Sequence, residues 1–205
     1  MLYRDKVQPR SLNVEVKGES LVLQTACPPW LVGKLETDRG LRVFSRLPSR
    51  EHQRLLDIAR RPENILTLAS TSSGVIVGQV TLAPLHGWSG ELTNAYEIAC
   101  EVSSAFRRKG IARRLLTLVL ETEGVEDLIL MGFGLSWHWD TIGLGLTRAA
   151  YRSMLTTFLA SYGFVDCPTN EGNMCLDPYN VLFARLGTHV SPEMTIQFYN
   201  SLCMQ

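Results

Sequence analysis

Residues Arg107-Arg108-Lys109-Gly110-Ile111-Ala112-Arg113-Arg114 put five cations within eight positions, around one glycine. The preceding residues, Tyr96 to Val102, read as a strand, and those from Ile111 read as a helix. Cations are misplaced at such a junction. The first turn of a helix carries partial positive charge and unpaired N–H groups, so it favours acids. An anion seated among the cations removes the conflict. Gly110 and Ala112 leave space for a ligand to come close to the backbone. A pyrophosphate fits this description. The spacing is not that of a P-loop, because no Gly-Lys-Ser/Thr follows. It is not a dinucleotide fingerprint either, because one glycine stands where three are needed. A solvated basic helix start would show the same charges.

The elements that position this run can be read from periodicity. Leu12 to Val16 and Leu21 to Thr25 flank Lys17-Gly18-Glu19-Ser20 and predict an N-terminal hairpin over about 10–26. Cys27-Pro28-Pro29 breaks it, and residues 30 to 48 read as loop or short helix. Ser49 is placed to cap a helix carrying Leu55, Leu56, Ile58 and Ala59, which Arg61-Pro62 stops. Ile65 to Ser70, Val75 to Ala83 and Asn94 to Val102 read as strands. Ile111 to Thr122 shows apolar Ile111, Leu115, Leu118 and Val119 on one helical face and ends at Gly124. Asp127 to Phe133 is a strand, Thr147 to Tyr162 a helix stopped by Gly163, and Asn180 to Leu186 a last strand. Ser191-Pro192-Glu193 opens a C-terminal helix over about 191–203. The order predicts an α/β (α+β) domain spanning 1–205, a mixed sheet covered by helices.

Composition excludes several classes. Apolar residues make up 45% and charged residues 20%, as in an ordinary globular protein. Twenty basic and twenty acidic residues cancel, so no bulk basic surface marks a nucleic-acid partner. No apolar run approaches the roughly 20 residues that span a bilayer, and the first six residues lack a signal peptide's apolar core. Five irregularly spaced cysteines without a CxxC argue against a disulfide framework or a zinc site, and the histidines lack metal-ligand spacing. The expected setting is a reducing cytoplasm, with no membrane, nucleic-acid or metal partner.

Arg107-Arg108-Lys109-Gly110-Ile111-Ala112 resembles the R/Q-x-x-G-x-G/A motif of the GNAT N-acetyltransferase family, and Tyr162-Gly163-Phe164 resembles that family's Gly-Phe signature. The order of elements is similar over about residues 10 to 187. The resemblance implies the GNAT fold: a mixed, mostly antiparallel sheet whose two middle strands splay apart, flanked by helices. It implies that Val102, Ser103, Ser104, Arg107, Arg108, Lys109, Gly110, Ile111, Ala112 and Arg113 hold acetyl-CoA, with the pantetheine arm between Tyr96–Val102 and Asp127–Phe133. CoA would be the product. Ser49-Arg50-Glu51-His52, Trp137-His138-Trp139-Asp140, Tyr151-Arg152 and the run from Asn180 to Ser191 resemble the acetoin-utilisation acetyltransferases of spore-forming bacteria. That narrower resemblance implies a protein substrate, a lysine of acetyl-CoA synthetase.

Amine attack on a thioester needs a neutral amine, so a base or a water path must take the proton of a lysine near pKa 10.4. Glu97 and Glu101 stand four apart on a strand and project to the same face, away from Tyr96, Ile98, Cys100 and Val102. Glu97 matches the family's base position, and Glu101 is the alternative. The other reading of either is an exposed strand carboxylate or a partner for an arginine. The family's thiolate-protonating tyrosine would fall at Leu159, which leaves Tyr162 and Tyr151 as substitutes. His138 follows the second splayed strand and could line the acceptor site or relay a proton. Its other reading is aromatic packing with the ring bonded to a carbonyl. Trp88 and His86, in the loop 84 to 93, stand where they could border the acceptor cleft. Cys100 reads as an inert buried thiol. A small-molecule amine acetyltransferase and a non-catalytic acetyl-CoA-binding regulator of the synthetase stay open beside the lysine acetyltransferase.

Overall fold

The computed structural model describes every residue except 1, 3, 17, 46, 89–91 and 204–205. Lys17 of the hairpin turn and part of the loop 84 to 93 therefore lie outside the described residues. The chain divides into two compact units, 1–83 with 99–125, and 84–98 with 126–205.

In the first unit, β1 (Ser11–Val16) and β2 (Glu19–Gln24) form the expected hairpin. β2 pairs with β4 (Ile65–Thr71), which pairs with β5 (Val75–Pro84), all antiparallel. A two-residue β3 (Glu36–Thr37) adds to β5 in parallel. One sheet face packs Leu66, Leu68 and Ile76 against Val32 of α1 (Pro29–Val32) and Leu55 and Ala59 of α2 (Pro48–Arg60). The other face receives α3 (Ile111–Leu120), whose Leu115 and Ile111 crowd Gly78 of β5. Ile111, Leu115, Leu118 and Val119 are all buried, as the 3.6-residue period predicts. Ser49 does not cap α2. Pro48 holds the first helical position after Leu47, because its fixed φ suits a helix start and its missing N–H costs nothing there.

In the second unit, the start of β6 (Ala95–Val102) pairs in parallel with β7 (Ile129–Gly134), which pairs antiparallel with β9 (Val181–Leu186). A short β8 (Val165–Asp166) borders β9. A parallel pair needs a crossover connection, and α3 supplies it along the chain. Met131, Leu182, Ala184, Cys167, Phe198 and Leu202 share one core. Phe198 of α7 (Pro192–Ser201) and Leu202 just after it supply that helix's share of this core. Ser191 caps α7 through the Met194 N–H, as expected. α5 (Arg148–Ala160) ends where Gly163 takes φ 80°, with Gly163 N–H donating to Ala160 and Phe164 N–H to Leu159. A short α4 (Thr141–Leu144), capped by Asp140 and closed by Gly145 at φ 65°, and α6 (Gly172–Cys175) escaped the sequence reading. Four residues are too few to show a period.

The sheet is thus mixed and mostly antiparallel, with helices on it, as the sequence predicts. No helix among the described residues is long and apolar enough to cross a membrane.

Candidate active site

In the first unit, β6 runs out at Val102 into a single 3-10 turn, Ser104–Phe106. Arg107 is extended and its Nε–H donates to the Val102 carbonyl at 3.3 Å. Arg108 takes φ 59° and Gly110 φ 76°, and α3 begins at once. No side chain caps that helix. The helix thus starts directly behind a turn with two left-handed residues, an arrangement that points main-chain N–H groups toward one side. A Cβ built on Gly110 would meet nothing within 4 Å, so the space before the helix is open. Ile111 and Leu115, both buried, hold the helix start rigid. Open space, oriented donors and Arg113 on the first turn suit a pyrophosphate, and the site passes that test of fit. Lys109 behaves differently from its neighbours. Its ammonium lies 4.6 Å over the Phe106 ring and 3.6 Å from the Glu19 carboxylate of β2. Its side chain braces the turn, and its backbone is what it presents.

Glu101 departs from expectation. It is 4% exposed, and its Oε1 accepts the main-chain N–H groups of Arg42 (2.5 Å) and Val43 (2.8 Å). Burial pushes its carboxyl above the ordinary carboxylate range, against the pull of those N–H groups. Nearby Glu51 is fully buried and gripped at both oxygens by Arg54, at 2.9 and 2.6 Å. The reading of Glu101 as an exposed strand carboxylate is therefore corrected, because segment 42–43 covers that end of the strand. The Cys100 thiol, pushed up to about 12 by burial and by Glu101, stays protonated and inert.

In the second unit, Glu97 is exposed on β6, opposite Met131 of β7, while Tyr96 is fully buried. The β6–β7 ladder runs from Ala95↔Ile129 to Glu97↔Met131, and each strand continues past it. His138 closes a 3-10 turn after β7, with its ring edge-on to Trp137 at 6.0 Å. Burial pulls its pKa down, so the ring is neutral near pH 7. Tyr151 stacks on Trp139, with centroids 5.0 Å apart and planes 8° from parallel. Tyr162 meets Phe158 edge-on at 5.7 Å, and its carbonyl accepts from Arg185. Tyr151 lies in the first turn of α5 and Tyr162 beyond its end, each against a different aromatic neighbour. Trp88 donates to Ser201 Oγ at 2.8 Å and packs on Phe133, which makes it a core anchor. Among the described residues no group of three or more His, Cys, Asp or Glu is arranged to hold a metal.

The profile of the Acetyltransferase (GNAT) family matches residues 31–125, which include β6, the turn and α3. Acetoin utilization protein AcuA of Bacillus subtilis is 32% identical to this chain, over 92% of the chain and 91% of that protein. This chain belongs to the GNAT acetyltransferase family. AcuA of Bacillus licheniformis is 30% identical over 91% of the GNAT chain and 90% of its own. The crystal structure of an acetoin utilization protein from Exiguobacterium sibiricum matches with a TM-score of 0.90 at 26% identity, covering 97% of this chain and 96% of that one. A GNAT acetyltransferase from Streptococcus pneumoniae, at 15% identity and a TM-score of 0.54, shares the fold.

This GNAT enzyme is thus an acyltransferase of a family that uses acetyl-CoA. The structure brings Asp38 and Gly40 against Ser103 and Ser104 of the candidate site. The Ser103 hydroxyl donates to Asp38 Oδ1, which also accepts the Gly40 N–H at 2.8 Å. The Ser104 N–H donates to the Gly40 carbonyl at 3.3 Å. An Asp-x-Gly turn signature marks this segment in the sequence, but nothing local says which strand it crosses.

Proposed function

We propose that the chain transfers the acetyl group of acetyl-CoA to a lysine of another protein, with an acyl-adenylate-forming synthetase such as acetyl-CoA synthetase as the acceptor, in the cytoplasm. The observation that carries this reading is the start of α3 directly behind a left-handed Gly110, with open space before it. Acetyl-CoA supplies an activated acyl thioester. The backbone N–H groups from Lys109 onward and the guanidiniums of Arg108 and Arg113 bind its pyrophosphate. Val102, Ser103 and Ser104 line the strand end. Glu97 precedes Val102 by five residues on the same strand, β6. Glu97 accepts the proton of the lysine ammonium, so that the amine attacks neutral. His138, half-buried after β7 with its pKa pulled down by burial, orients the acceptor. With Leu159 in place of the family's acid, the thiolate leaves without a tyrosine at that position. Loss of the lysine charge is the regulatory signal. The acceptor reading is also supported by the similarity to AcuA over nearly the whole chain.

The test is calorimetry with acetyl-CoA on wild type, Gly110→Asp and Gly110→Asn, followed by intact mass of purified acetyl-CoA synthetase after incubation. A Cβ at position 110 meets open space, and both variants carry the same strain of the left-handed φ, which Asp and Asn bear better than most residues, so their comparison isolates the charge. Gly110→Asp should weaken binding about tenfold or more by placing an anion beside the pyrophosphate, and Gly110→Asn should weaken it less. One acetyl group on the synthetase is the expected product. Binding without transfer to any amine would favour a non-catalytic regulator, and transfer only to free amines would favour a small-molecule enzyme. No binding by wild type would overturn the reading.

A further inference from the structure

Between β3 and α2, residues 38–43 run along the end of β6 and are tied to it from both sides. The Asp38 N–H donates to the Ile76 carbonyl at 3.0 Å, which fixes the start of the segment on β5. The Asp38 carboxylate then reaches across to the Ser103 hydroxyl, and the Gly40 carbonyl takes the Ser104 N–H. In return, Glu101 reaches from β6 to the N–H groups of Arg42 and Val43. Each partner therefore lends one carboxylate to the other. Only glycine passes at position 40, because a Cβ there would stand 2.8 Å from the Ser104 nitrogen and collide with the Ser103 hydroxyl. Leu41, fully buried in the α2 core, pins the middle of the segment.

The carboxylate of Glu101 is poorly placed for proton transfer. Oε1 is saturated by two main-chain donors, and Oε2 is enclosed with no partner among the described residues. The bond from Ser103 N–H to Val77 carbonyl sets Glu101 across the antiparallel ladder from Gln79. The Gln79 side-chain amide is likewise buried and unpartnered. A carboxamide at position 101 would meet that amide as readily as a carboxylate and would keep one oxygen for Arg42 and Val43.

Resting on the acetyl-CoA reading above, we infer that Glu101 is a positioning residue: through Arg42 and Val43 it holds segment 38–43 as a strap that fixes Ser103, Ser104 and the cofactor turn behind them. It sets affinity for acetyl-CoA and takes no proton from the acceptor. Removing it frees the strap, and the turn must then be ordered at the expense of binding.

The test compares Glu101→Ala, Glu101→Gln and Gly40→Ala in the full chain. Amide hydrogen exchange without ligand should rise at Arg42, Val43 and Ser104 in Glu101→Ala, and should stay near wild type in Glu101→Gln. Acetyl-CoA dissociation constants should rise about tenfold in Glu101→Ala and in Gly40→Ala. Glu101→Gln should restore most of the affinity, with kcat and the shape of its pH profile retained. Unchanged exchange in Glu101→Ala would overturn the strap, whatever the ligand does. A hundredfold fall in kcat for Glu101→Gln with unchanged affinity would make Glu101 the base and overturn the inference as well. Failure of wild type to bind acetyl-CoA would instead sink the function proposed above, while exchange would still decide the strap. If Glu101→Ala does not fold, Glu101→Gln and Gly40→Ala carry the decision.

Discussion

Glu97→Gln is expected to lower kcat by about 10²–10³-fold at neutral pH, with little change in acetyl-CoA affinity. A lysine amine near pKa 10.4 is almost wholly protonated at pH 7, with about one molecule in 2,500 neutral. An enzyme without a base must wait for that fraction. Gln keeps the shape and polarity of the exposed site on β6 and removes only the ability to take a proton. The variant's rate should therefore climb about tenfold per pH unit as the free amine grows, converging on wild type as the pH nears the amine's own pKa. Wild type should be far flatter over that range. The turn proposed to bind the pyrophosphate lies beyond Val102 along the chain, so the dissociation constant for acetyl-CoA is the control. Steady-state rates from about pH 6 to 10 decide the matter. A Gln variant within about threefold of wild type at neutral pH would show that a water path or another group does the work.

Gly187→Ala should be the most damaging single methyl group in the second unit, destabilising by about 3–5 kcal/mol. Gly187 follows β9, and its N–H donates to the Leu128 carbonyl at 2.9 Å. A Cβ there would fall on the Glu126 carbonyl and stand 2.7 Å from the Glu126 Cα. The obstacle is backbone, and that backbone is fixed. The Glu126 carbonyl accepts from His189 N–H at 2.9 Å, and its carboxylate holds Thr188 N–H and Arg185. At about 2–4 °C per kcal/mol for a chain of this size, Tm should fall by roughly 10 °C. Gly172→Ala is the matched control, since it meets nothing within 4 Å and sits in a helix at an ordinary φ. A Gly187→Ala melt within about 2 °C of wild type would show that the two segments part easily.

The same cluster responds to acid. Burial pushes the Glu126 carboxyl up, but the Thr188 N–H and Arg185 outweigh it and hold the group below its usual range. A depressed folded pKa contributes stability above the unfolded value of about 4.3, and that stability is lost as pH falls through the folded value.

The basic turn was legible from the sequence because its logic is local. Cations at a helix start with one glycine beside them imply an anion, and Gly110 does take the left-handed φ with open space before it. Helices α2 and α3 and the longer strands were legible for the same reason, since a repeating apolar face is written in consecutive residues, and α5 and α7 were legible from their end signals, Gly163 and Ser191-Pro192. Glu97 and Glu101 show where that legibility ends. They are the same residue type, four apart on one strand, and indistinguishable by period. Only the tertiary structure separates them, by laying Arg42 and Val43 over one and leaving the other exposed. Lys109 reads as one more ligand cation until Glu19, ninety positions earlier, takes its charge. Gly187 reads as an ordinary loop glycine until the Glu126 backbone arrives against it. In each case the deciding partner is distant along the chain. Local propensity and charge are set by neighbours in sequence, whereas burial and close approach are set by whichever segment the fold brings across.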